Sequence, residues 1–451
     1  AGEPRVDGSI AVLEDTDADG RMDRRTVFTT DLSAPRGMVL LGSGALALDG
    51  ADYWFFRDRD GDLVSDEKQK VATDFSEAGS RSQGPNGLFL ALDNWIYGAG
   101  STTRLRYYGS GGFARDFTDR RSGRGVAQDE VCRLHHLGEG GVLFAERIAS
   151  GYRWRNPGYR GTSGAVALPA ADSASPVEFR GPASVAGDML VYRGGLFGGD
   201  FNGNAFIAET VSGRIKRIPL PAGSGPPVDL GVLEPEDVLH STDREFSPLN
   251  LAQGGDGALY VAGRHGRGAT SGRIWRITPA SSTSRGRTTP VGRSLGDLVR
   301  DLGHADGWRR DTAQRLIIEK EDPFAARLVR EYARGDATPI GRVHALWTLE
   351  GLDAVDRNTV LKMLDDPDSR VCSTAIRMAE KFLYPPADEE VTARLLGMAA
   401  HPDPSVLLQL VLSLGEAEDP GVESVLQEVI VRSGDRPFVV DAVMSGISGR
   451  E

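Results

Sequence analysis

Two acidic segments of the chain have the residue types and the spacing of calcium-binding loops. The first reads Asp15-x-Asp17-x-Asp19-Gly20-x-x-Asp23, and a similar segment follows 43 residues later. Carboxylates at alternate positions can surround a hard cation, and glycine permits the sharp turn, as in EF-hand or dockerin-type loops. The predicted Ca²⁺ ligands are Asp15, Asp17, Asp19 and Asp23 in the first loop, and Asp58, Asp60, Asp62 and Asp66 in the second.

Both loops depart from the full EF-hand pattern. Thr26 and Gln69 stand at the twelfth position, where a bidentate Glu is usual, and Leu63 stands where the first loop has Gly20. We therefore expect weak to moderate calcium binding with a structural role, at the calcium concentrations found outside cells. The alternative is an Asp/Gly-rich hairpin turn that water solvates.

A second candidate group consists of polar residues that could meet at one site if the apolar strands around them form a ring. Such a site could hold a sugar or a quinone, and the alternative is a water-filled axial channel. Adjacent residues of a strand point to opposite faces, so at most one of His135 and His136 faces this site. A histidine there could act as a base. The predicted ligand or cofactor residues are Arg36, Gln83, Asn86, Gln128, Asp129 and Asn250, and the predicted catalytic residues are His135, Arg264 and His265.

Short apolar strands separated by Gly, Asp and Asn turns recur through residues 1–277 and would position these side chains. Repeats of about 40 residues with four strands each are typical of a β-propeller, because one small sheet cannot cover both of its faces. The offset of 43 residues between the Asp loops corresponds to one blade. We predict six blades, the first of which lacks its inner strands. Five strand pairs begin at Met38, Gly87, Val131, Met189 and Pro248.

The composition changes after residue 277. Residues 278–293 are rich in Ser, Thr, Pro and Arg and predict a linker. From residue 294 to 451 the apolar period changes to that of helices, and Ser294 with Asp297 resembles a capping box. Two similar helix starts, Asp366-Pro367 and His401-Pro402, lie 35 residues apart. These features predict HEAT-like helical repeats, with an irregular helical bundle as the alternative.

Composition and missing motifs limit the functions that the chain can have. The net charge of −12 and the lack of a basic tail argue against nucleic-acid binding. No apolar run is long enough to span a membrane, and without Cys-x-x-Cys-His we expect no covalent haem. The two cysteines cannot form a disulfide framework. Hydrolase, kinase and nicotinamide-binding motifs are absent from the sequence.

The order of motifs resembles a family of large extracytoplasmic proteins of planctomycetes and verrucomicrobia that are called membrane-bound dehydrogenases. These are similar to soluble glucose/sorbosone dehydrogenase propellers and usually continue into HEAT repeats and a C-terminal cytochrome c, which this chain lacks. The matching stretches span nearly the whole chain. They include residues 12–20, 85–88, 93–98, 155–157, 191–194, 201–206, 241–243, 257–261, 307–316 and 344–352.

The resemblance implies a secreted protein of the periplasm or extracellular space, and it leaves two functions open. The favoured one is a binding or scaffold subunit, in a larger envelope or electron-transfer assembly, whose propeller or HEAT surfaces contact protein partners; a sugar ligand is one option. The alternative is a pyrroloquinoline quinone (PQQ)-dependent sugar or polyol dehydrogenase. The short segment after Val261 favours the first, and the Asn86-Gly87 and Asp93-Asn94 motifs favour the second.

Overall fold

A computed structural model of the chain describes residues 8–17, 19–74, 86–118, 124–138, 142–146, 148–149, 151–152, 165–167, 186–220, 235–243, 245–265, 271–282, 292–435 and 439–447. Over these residues the chain forms a strand-rich part followed by a helical part. None of the helices in these ranges is long and apolar enough to cross a membrane.

Five β-sheets of three or four strands form the blades of a propeller, and a sixth sheet has two strands. Each sheet is antiparallel, and its strands follow one another along the chain, as they do in propeller blades. In chain order the strands are β1 Gly8–Glu14, β2 Arg24–Leu32, β3 Pro35–Leu41, β4 Gly44–Asp49, β5 Asp52–Arg57, β6 Glu67–Thr73, β7 Asn86–Leu90, β8 Trp95–Ala99, β9 Thr103–Tyr107, β10 Phe113–Phe117, β11 Arg124–Gln128, β12 Leu134–Leu137, β13 Leu143–Glu146, β14 Ala165–Ala167, β15 Ala186–Tyr192, β16 Asn204–Glu209, β17 Arg214–Pro219, β18 Glu236–His240, β19 Ser247–Gln253, β20 Leu259–His265 and β21 Ser271–Ile277.

The first strand of each blade is its innermost strand, and these strands pack side by side in the order β3, β7, β11, β15 and β19. Two glycines allow this close approach. A Cβ atom on Gly37 would lie 2.8 Å from Leu88 N, and one on Gly187 would lie 2.6 Å from Leu249 O. Contacts this short do not occur for real Cβ atoms, so any larger residue would push the blades apart.

The two-stranded sheet β1–β2 covers only part of the first blade. Phe28 and Leu32 of β2 pack with Phe56 and the small residues of β4. Met38 and Leu40, which pair with β4 from the inner side, remain 46% and 56% exposed. The described residues therefore form five blades and an additional strand pair. A complete sixth blade stays a prediction.

One predicted strand is wrong. Val131, Cys132 and Arg133 form a turn in which Cys132 has φ of +64°, and the strand starts at Leu134. The innermost strand of this blade is the earlier segment Arg124–Gln128. Its start is marked by Gly125, whose φ of +76° is a conformation that favours glycine.

Ten α-helices are described after residue 294. The cap at the start of the first one is as the sequence predicts, because the Ser294 side chain accepts a hydrogen bond from Asp297 N. The described residues also include three short 3₁₀ helices, Gly109–Gly111, Gly199–Phe201 and Glu380–Phe382. The helices are α1 Leu295–Asp301, α2 Gly307–Glu319, α3 Ala325–Arg334, α4 Pro339–Gly351, α5 Arg357–Leu364, α6 Ser369–Ala379, α7 Glu389–Leu396, α8 Pro404–Leu414, α9 Gly421–Ser433 and α10 Val439–Gly446.

Alternate helices form two rows. Helices α2, α4, α6, α8 and α10 contact one another in sequence, and the odd-numbered helices from α1 to α9 run alongside them. Buried apolar side chains of both rows form one continuous core, which Leu92, Ile148 and Tyr152 of the propeller join. This two-row arrangement is compatible with helical repeats. Their assignment to the HEAT type stays a prediction.

Candidate functional site

The five innermost strands surround a central cavity of about 1000 Å³. Residues near the starts and the ends of these strands line it, so it follows the axis of the propeller. Ser9, Ile10 and Ala11 of β1 also border the cavity on the side where the first blade is only partly covered. Its volume lies at the upper end of the range of about 300–1000 Å³ that small-molecule sites occupy.

Helix α2 lies across one end of this cavity. Trp308 and Asp311 line the cavity, and Gly307 N donates a hydrogen bond to Arg193 O at 2.7 Å. A Cβ atom on Gly307 would meet Arg193 Cβ at 2.6 Å, so only glycine allows the helix to sit this close. Arg193 also forms an ion pair with Asp311. The ends of the inner strands are therefore closed by a helix of the second part of the chain.

Five of the predicted site residues come together in the central cavity. They come from four of the blades. Most lie where the strands enter the cavity, at the end away from α2, because the inner strands run in the same direction. Arg264 belongs to β20 and pairs with Ser247 at the start of β19. The five residues are Arg36, Asn86, Gln128, Asn250 and Arg264.

The other predicted site residues are not placed in the lining. Gln83 lies outside the described residues, and His265 ends β20, with its backbone alone described. Asp129 lies in the turn after β11, where it accepts hydrogen bonds from Val131 N and Arg133 N at 3.0 Å. His135 is 2% exposed on the second strand of the same blade, with Nε2 3.4 Å from Asp129 Oδ2. This arrangement gives Asp129 and His135 positions inside the blade, away from the cavity.

Gln128 connects the cavity to the neighbouring blade. Its Oε1 accepts a hydrogen bond from Leu92 N at 2.7 Å, and Leu92 O accepts one from Gln314 Nε2 of α2 at 2.8 Å. The Nε2 atom of Gln128 is buried and has no hydrogen-bond partner among the described residues. A buried donor without a partner costs about 1–3 kcal/mol, and a bound ligand or water would remove that cost.

The sequence prediction missed Asp188, which with Asp311 provides the carboxylates among the described lining residues. Its Oδ2 accepts hydrogen bonds from Leu251 N at 3.1 Å and from Asn250 Nδ2 at 3.3 Å, and its Oδ1 accepts one from Met189 N at 2.8 Å. Burial raises the pKa of Asp188 to about 6, since these bonds only partly compensate for the loss of water. The acid therefore titrates nearer to neutral pH than an ordinary Asp and is mainly ionised at pH 7.

Two arginines give the cavity free positive charge. Neither Arg36 nor Arg264 forms an ion pair within the described chain, whereas Arg193 is paired with Asp311 and Glu130. Asp188 is the carboxylate that accompanies them in the strand-entry region. The cavity can therefore bind an anionic or strongly polar group, and it carries both hydrogen-bond donors and acceptors.

The two Asp loops bring carboxylates together at positions that match each other. The first joins β1 to β2, and the second joins β5 to β6. Ligand oxygens of Asp15, Asp17 and Asp19 lie within 4.8 Å of one another, as do those of Asp58, Asp60 and Asp66. Asp23 and Asp62 are outside these groups. Their oxygens accept hydrogen bonds from Thr16 N and Val64 N at 3.2 and 2.8 Å.

The environment of one oxygen atom in the first loop is consistent with a bound cation. Asp15 Oδ1 is buried and has no hydrogen-bond partner among the described residues, although two other carboxylates are close by. A cation would satisfy this oxygen and reduce the repulsion between the carboxylates. In the second loop Leu63 adopts φ of +69°, where the first loop has Gly20 at +90°. The two loops therefore share a backbone turn despite the substitution.

Several residues of the resembling stretches 93–98, 307–316 and 344–352 meet between the propeller and the helices. Asn94 Nδ2 donates to Trp347 O at 2.9 Å and to Glu350 Oε2 at 2.8 Å, and Asn94 Oδ1 accepts from Gln314 at 2.9 Å. Arg106 donates two hydrogen bonds to the Glu350 carboxylate, at 2.5 and 2.8 Å. In the sequence analysis the Asp93-Asn94 motif favoured a dehydrogenase. In the structure Asn94 connects the propeller to the helices and does not line the central cavity.

Comparison with known proteins gives a family match for part of the chain. Residues 2–124 and 167–266 match a family described as a domain of unknown function, DUF7133. No curated protein matches the chain. The match covers most of the propeller and leaves the helical part outside it.

Solved structures with a similar fold include sugar dehydrogenase propellers that bind PQQ. The PQQ domain of pyranose dehydrogenase from Coprinopsis cinerea is 12% identical with a TM-score of 0.36, over 61% of this chain and 91% of that one. The PQQ-bound aldose sugar dehydrogenase from Streptomyces coelicolor is 15% identical with a TM-score of 0.31, over 61% and 99%. The propeller assignment of this chain rests on the strand pairing described above.

Proposed function

We propose that this chain is a binding protein that holds a polar, polyhydroxylated small molecule of the sugar or polyol class in its central cavity. The observation that carries this proposal is the convergence of Arg36, Asn86, Asp188, Asn250 and Arg264 on one cavity that helix α2 closes at one end. Donors and acceptors from several blades face the same space, which is the arrangement that a ligand with many hydroxyl groups requires.

The chemistry of these side chains favours hydroxyl groups over a purely anionic ligand. A hydroxyl donates to a carboxylate such as Asp188 and accepts from an amide or guanidinium such as those of Asn250 and Arg264. Asp188 would repel a small anion at neutral pH. Trp308 offers an aromatic surface at the closed end, against which the apolar face of a sugar ring can pack.

The second candidate function is a PQQ-dependent oxidation of a sugar or polyol. The residues present fit such a cofactor, because Arg36 and Arg264 are free to pair with its carboxylates. When bound, PQQ would supply the acceptor for the two electrons of the alcohol. Asp188, with its pKa raised to about 6, would accept the hydroxyl proton at its carboxylate. His135, the earlier choice of base, lies away from the cavity.

The Asp loops are proposed to bind Ca²⁺ in a structural role. The support is the grouping of three carboxylates in each loop and the unpartnered Asp15 Oδ1. Both loops join outer strands, and neither contributes a residue to the cavity lining. Bound calcium would therefore stabilise the strand connections and would not contact the ligand.

The wider setting of the protein remains the one that the sequence suggests. We propose a periplasmic or extracellular location, and a larger envelope or electron-transfer assembly in which the helical rows contact protein partners. The support for this is the row of odd-numbered helices, because described hydrogen bonds and ring contacts to the blades come from the other row, α2, α4, α6 and α8.

Two assays on the purified protein test the ligand and the reaction separately. A panel of sugars and polyols is screened for a rise in melting temperature, because a ligand that binds only the folded state stabilises it. The same panel is then tested for dye reduction with PQQ and Ca²⁺. Stabilisation without dye reduction supports the binding protein, dye reduction supports the oxidoreductase, and the absence of both contradicts the proposal.

A further inference from the structure

A second cavity lies between the first two blades and the first helices, and we refer to it as the blade–helix cleft. It has a volume of about 760 Å³ and is open to solvent. Its propeller side is formed by the ends of β3, β7 and β9, and its helical side by α2, α3 and α4. It shares no lining residue with the central cavity. Ligand sites occur preferentially at such junctions between structural units.

The cleft combines an apolar wall with an excess of carboxylates. Leu41, Leu90, Ile318 and Leu352 provide the apolar surface, and Tyr108, which is 48% exposed, lies at the rim. Five carboxylates line the cleft, whereas only two guanidinium groups of the described residues do so. The acidic lining residues are Glu319, Glu321, Asp322, Glu350 and Asp353, and the basic ones are Arg106 and Arg315.

Most of these charges are held in fixed positions, and three carboxylates are left without a full counter-charge in the cleft. Glu350 is neutralised by Arg106, and Asp353 is 2.8 Å from Lys381. Glu321 accepts hydrogen bonds from Ser110 N and Oγ at 3.1 and 3.2 Å. Asp322 accepts one from Phe324 N at 2.8 Å. Neutral donors fix these two carboxylates but leave their negative charge in place.

Glu319 is the third of these carboxylates, and its side chain is only 10% exposed. Its Oε1 accepts a hydrogen bond from Gly42 N at 2.7 Å, and Arg315 is no closer than 3.9 Å. Its Oε2 has no hydrogen bond within the described chain. Burial raises the pKa of Glu319, so the ionised form lacks compensation. A cation in the cleft would provide what this carboxylate lacks.

The backbone around the cleft is also unusual. Five residues other than glycine have positive φ in the described chain, and three of them, Asn94, Glu321 and Asp353, line this cleft. Such conformations cost about 1–3 kcal/mol for residues other than glycine and tend to cluster at sites that bind ligands. The three residues lie in the turns that connect β7 to β8, α2 to α3 and α4 to α5.

We propose that the blade–helix cleft binds an organic cation, an alkylammonium or guanidinium group carried on a short apolar chain. The ammonium group lies among Glu319, Glu321 and Asp322, and the methylene groups contact the apolar wall. A hydrated metal ion would leave that wall uncovered, and a neutral ligand would leave the carboxylates uncompensated. A short diamine carries two charges on an apolar spacer and matches both features.

The test compares cadaverine (1,5-diaminopentane) with 1,5-pentanediol, which has the same carbon chain without charge, by calorimetric titration of the full chain. We expect cadaverine to bind and pentanediol not to bind. Raising NaCl from 50 to 500 mM should weaken binding by roughly tenfold, because the carboxylates are partly exposed and screened by salt. Equal heats for the two ligands would overturn the proposal.

The variant E321Q/D322N keeps the hydrogen-bond acceptors for Ser110 and Phe324 and removes two charges, so it should fold. It should weaken cadaverine binding by roughly tenfold. The matched control E418Q/E423Q also removes two negative charges. Glu423 lies in α9 and Glu418 shortly before it, both at exposed positions, so the control should leave the affinity for cadaverine unchanged. If the control weakens binding as much as E321Q/D322N does, the cation binds by overall charge, and the cleft is not its site.

Discussion

Replacing Asp188 by Asn should stabilise the protein at neutral pH, although Asp188 makes three hydrogen bonds. The pKa of this acid is 3.8 when unperturbed and about 6 in the fold. At about 1.36 kcal/mol for each pKa unit, keeping the carboxylate ionised costs the folded state about 3 kcal/mol above pH 6. Asn cannot accept all three hydrogen bonds, which costs about 1 kcal/mol. The expected net gain is about 1–2 kcal/mol, since Asp188 is half-buried and water reduces the cost.

The stability gained by D188N should depend on pH. A raised pKa means that the folded state binds the proton more tightly than the unfolded state, so the cost falls as the pH falls below 6. Urea unfolding of D188N and the unsubstituted protein at pH 8 and pH 5 measures it. The gain should be smaller at pH 5 by about 1.4 kcal/mol, whereas D336N, at an exposed position, should change stability by under about 0.5 kcal/mol at both. An equal loss of stability in D188N at both pH values would refute the desolvation argument.

Three further predictions follow from other parts of the structure. His344 is fully buried between Arg310 and Gln314, and this burial lowers its pKa well below 6.5. The free energy of unfolding should therefore fall below pH 6.5, by up to about 1.4 kcal/mol per pH unit. In urea titrations, H344Q should flatten this slope. Chelation of calcium should lower the melting temperature by several degrees; an unchanged melt would count against both Asp loops. G307A should cost about 1–3 kcal/mol because its Cβ would collide with Arg193, whereas G397A, at an uncrowded position directly after α7, should be tolerated; equal effects would contradict the close docking of α2.

The strand-rich plan was predictable because turn residues and alternating apolar residues are local signals. The strands that start near Met38, Gly87, Met189 and Pro248 are present. The cap at Ser294 was predictable for the same reason, because a single hydroxyl and a neighbouring backbone N–H decide it. Where local chemistry fixes the conformation, the sequence suffices.

The third blade shows where local signals fail. Residues 131–133 are apolar enough for a strand, yet Arg124–Gln128 occupies the inner position and Cys132 turns with positive φ. Packing of β11 between β7 and β15 decides this, and that contact joins residues distant in sequence. The available signal was Gly125, which stands one residue into its strand, as Gly37 and Gly87 stand near the starts of theirs.

The central cavity was only partly predictable. Arg36, Asn86 and Asn250 were found because polar residues at strand starts face the axis of a propeller. Asp188 was missed because the predicted strand began one residue later, at Met189, and its raised pKa depends on burial that the sequence does not show. The closure by α2 was also missed, because it depends on contacts between Gly307 and Arg193, far apart in the chain.

The proposal that the central cavity binds a sugar or polyol is tested most directly by calorimetric titration of the panel compound that gives the largest rise in melting temperature. The variant R36A/N250A should weaken its binding at least tenfold, because it removes two of the polar groups that converge in the cavity. The cleft variant E321Q/D322N should bind it like the unsubstituted protein. Unchanged affinity in R36A/N250A, or binding that only E321Q/D322N weakens, would contradict a ligand site in the central cavity.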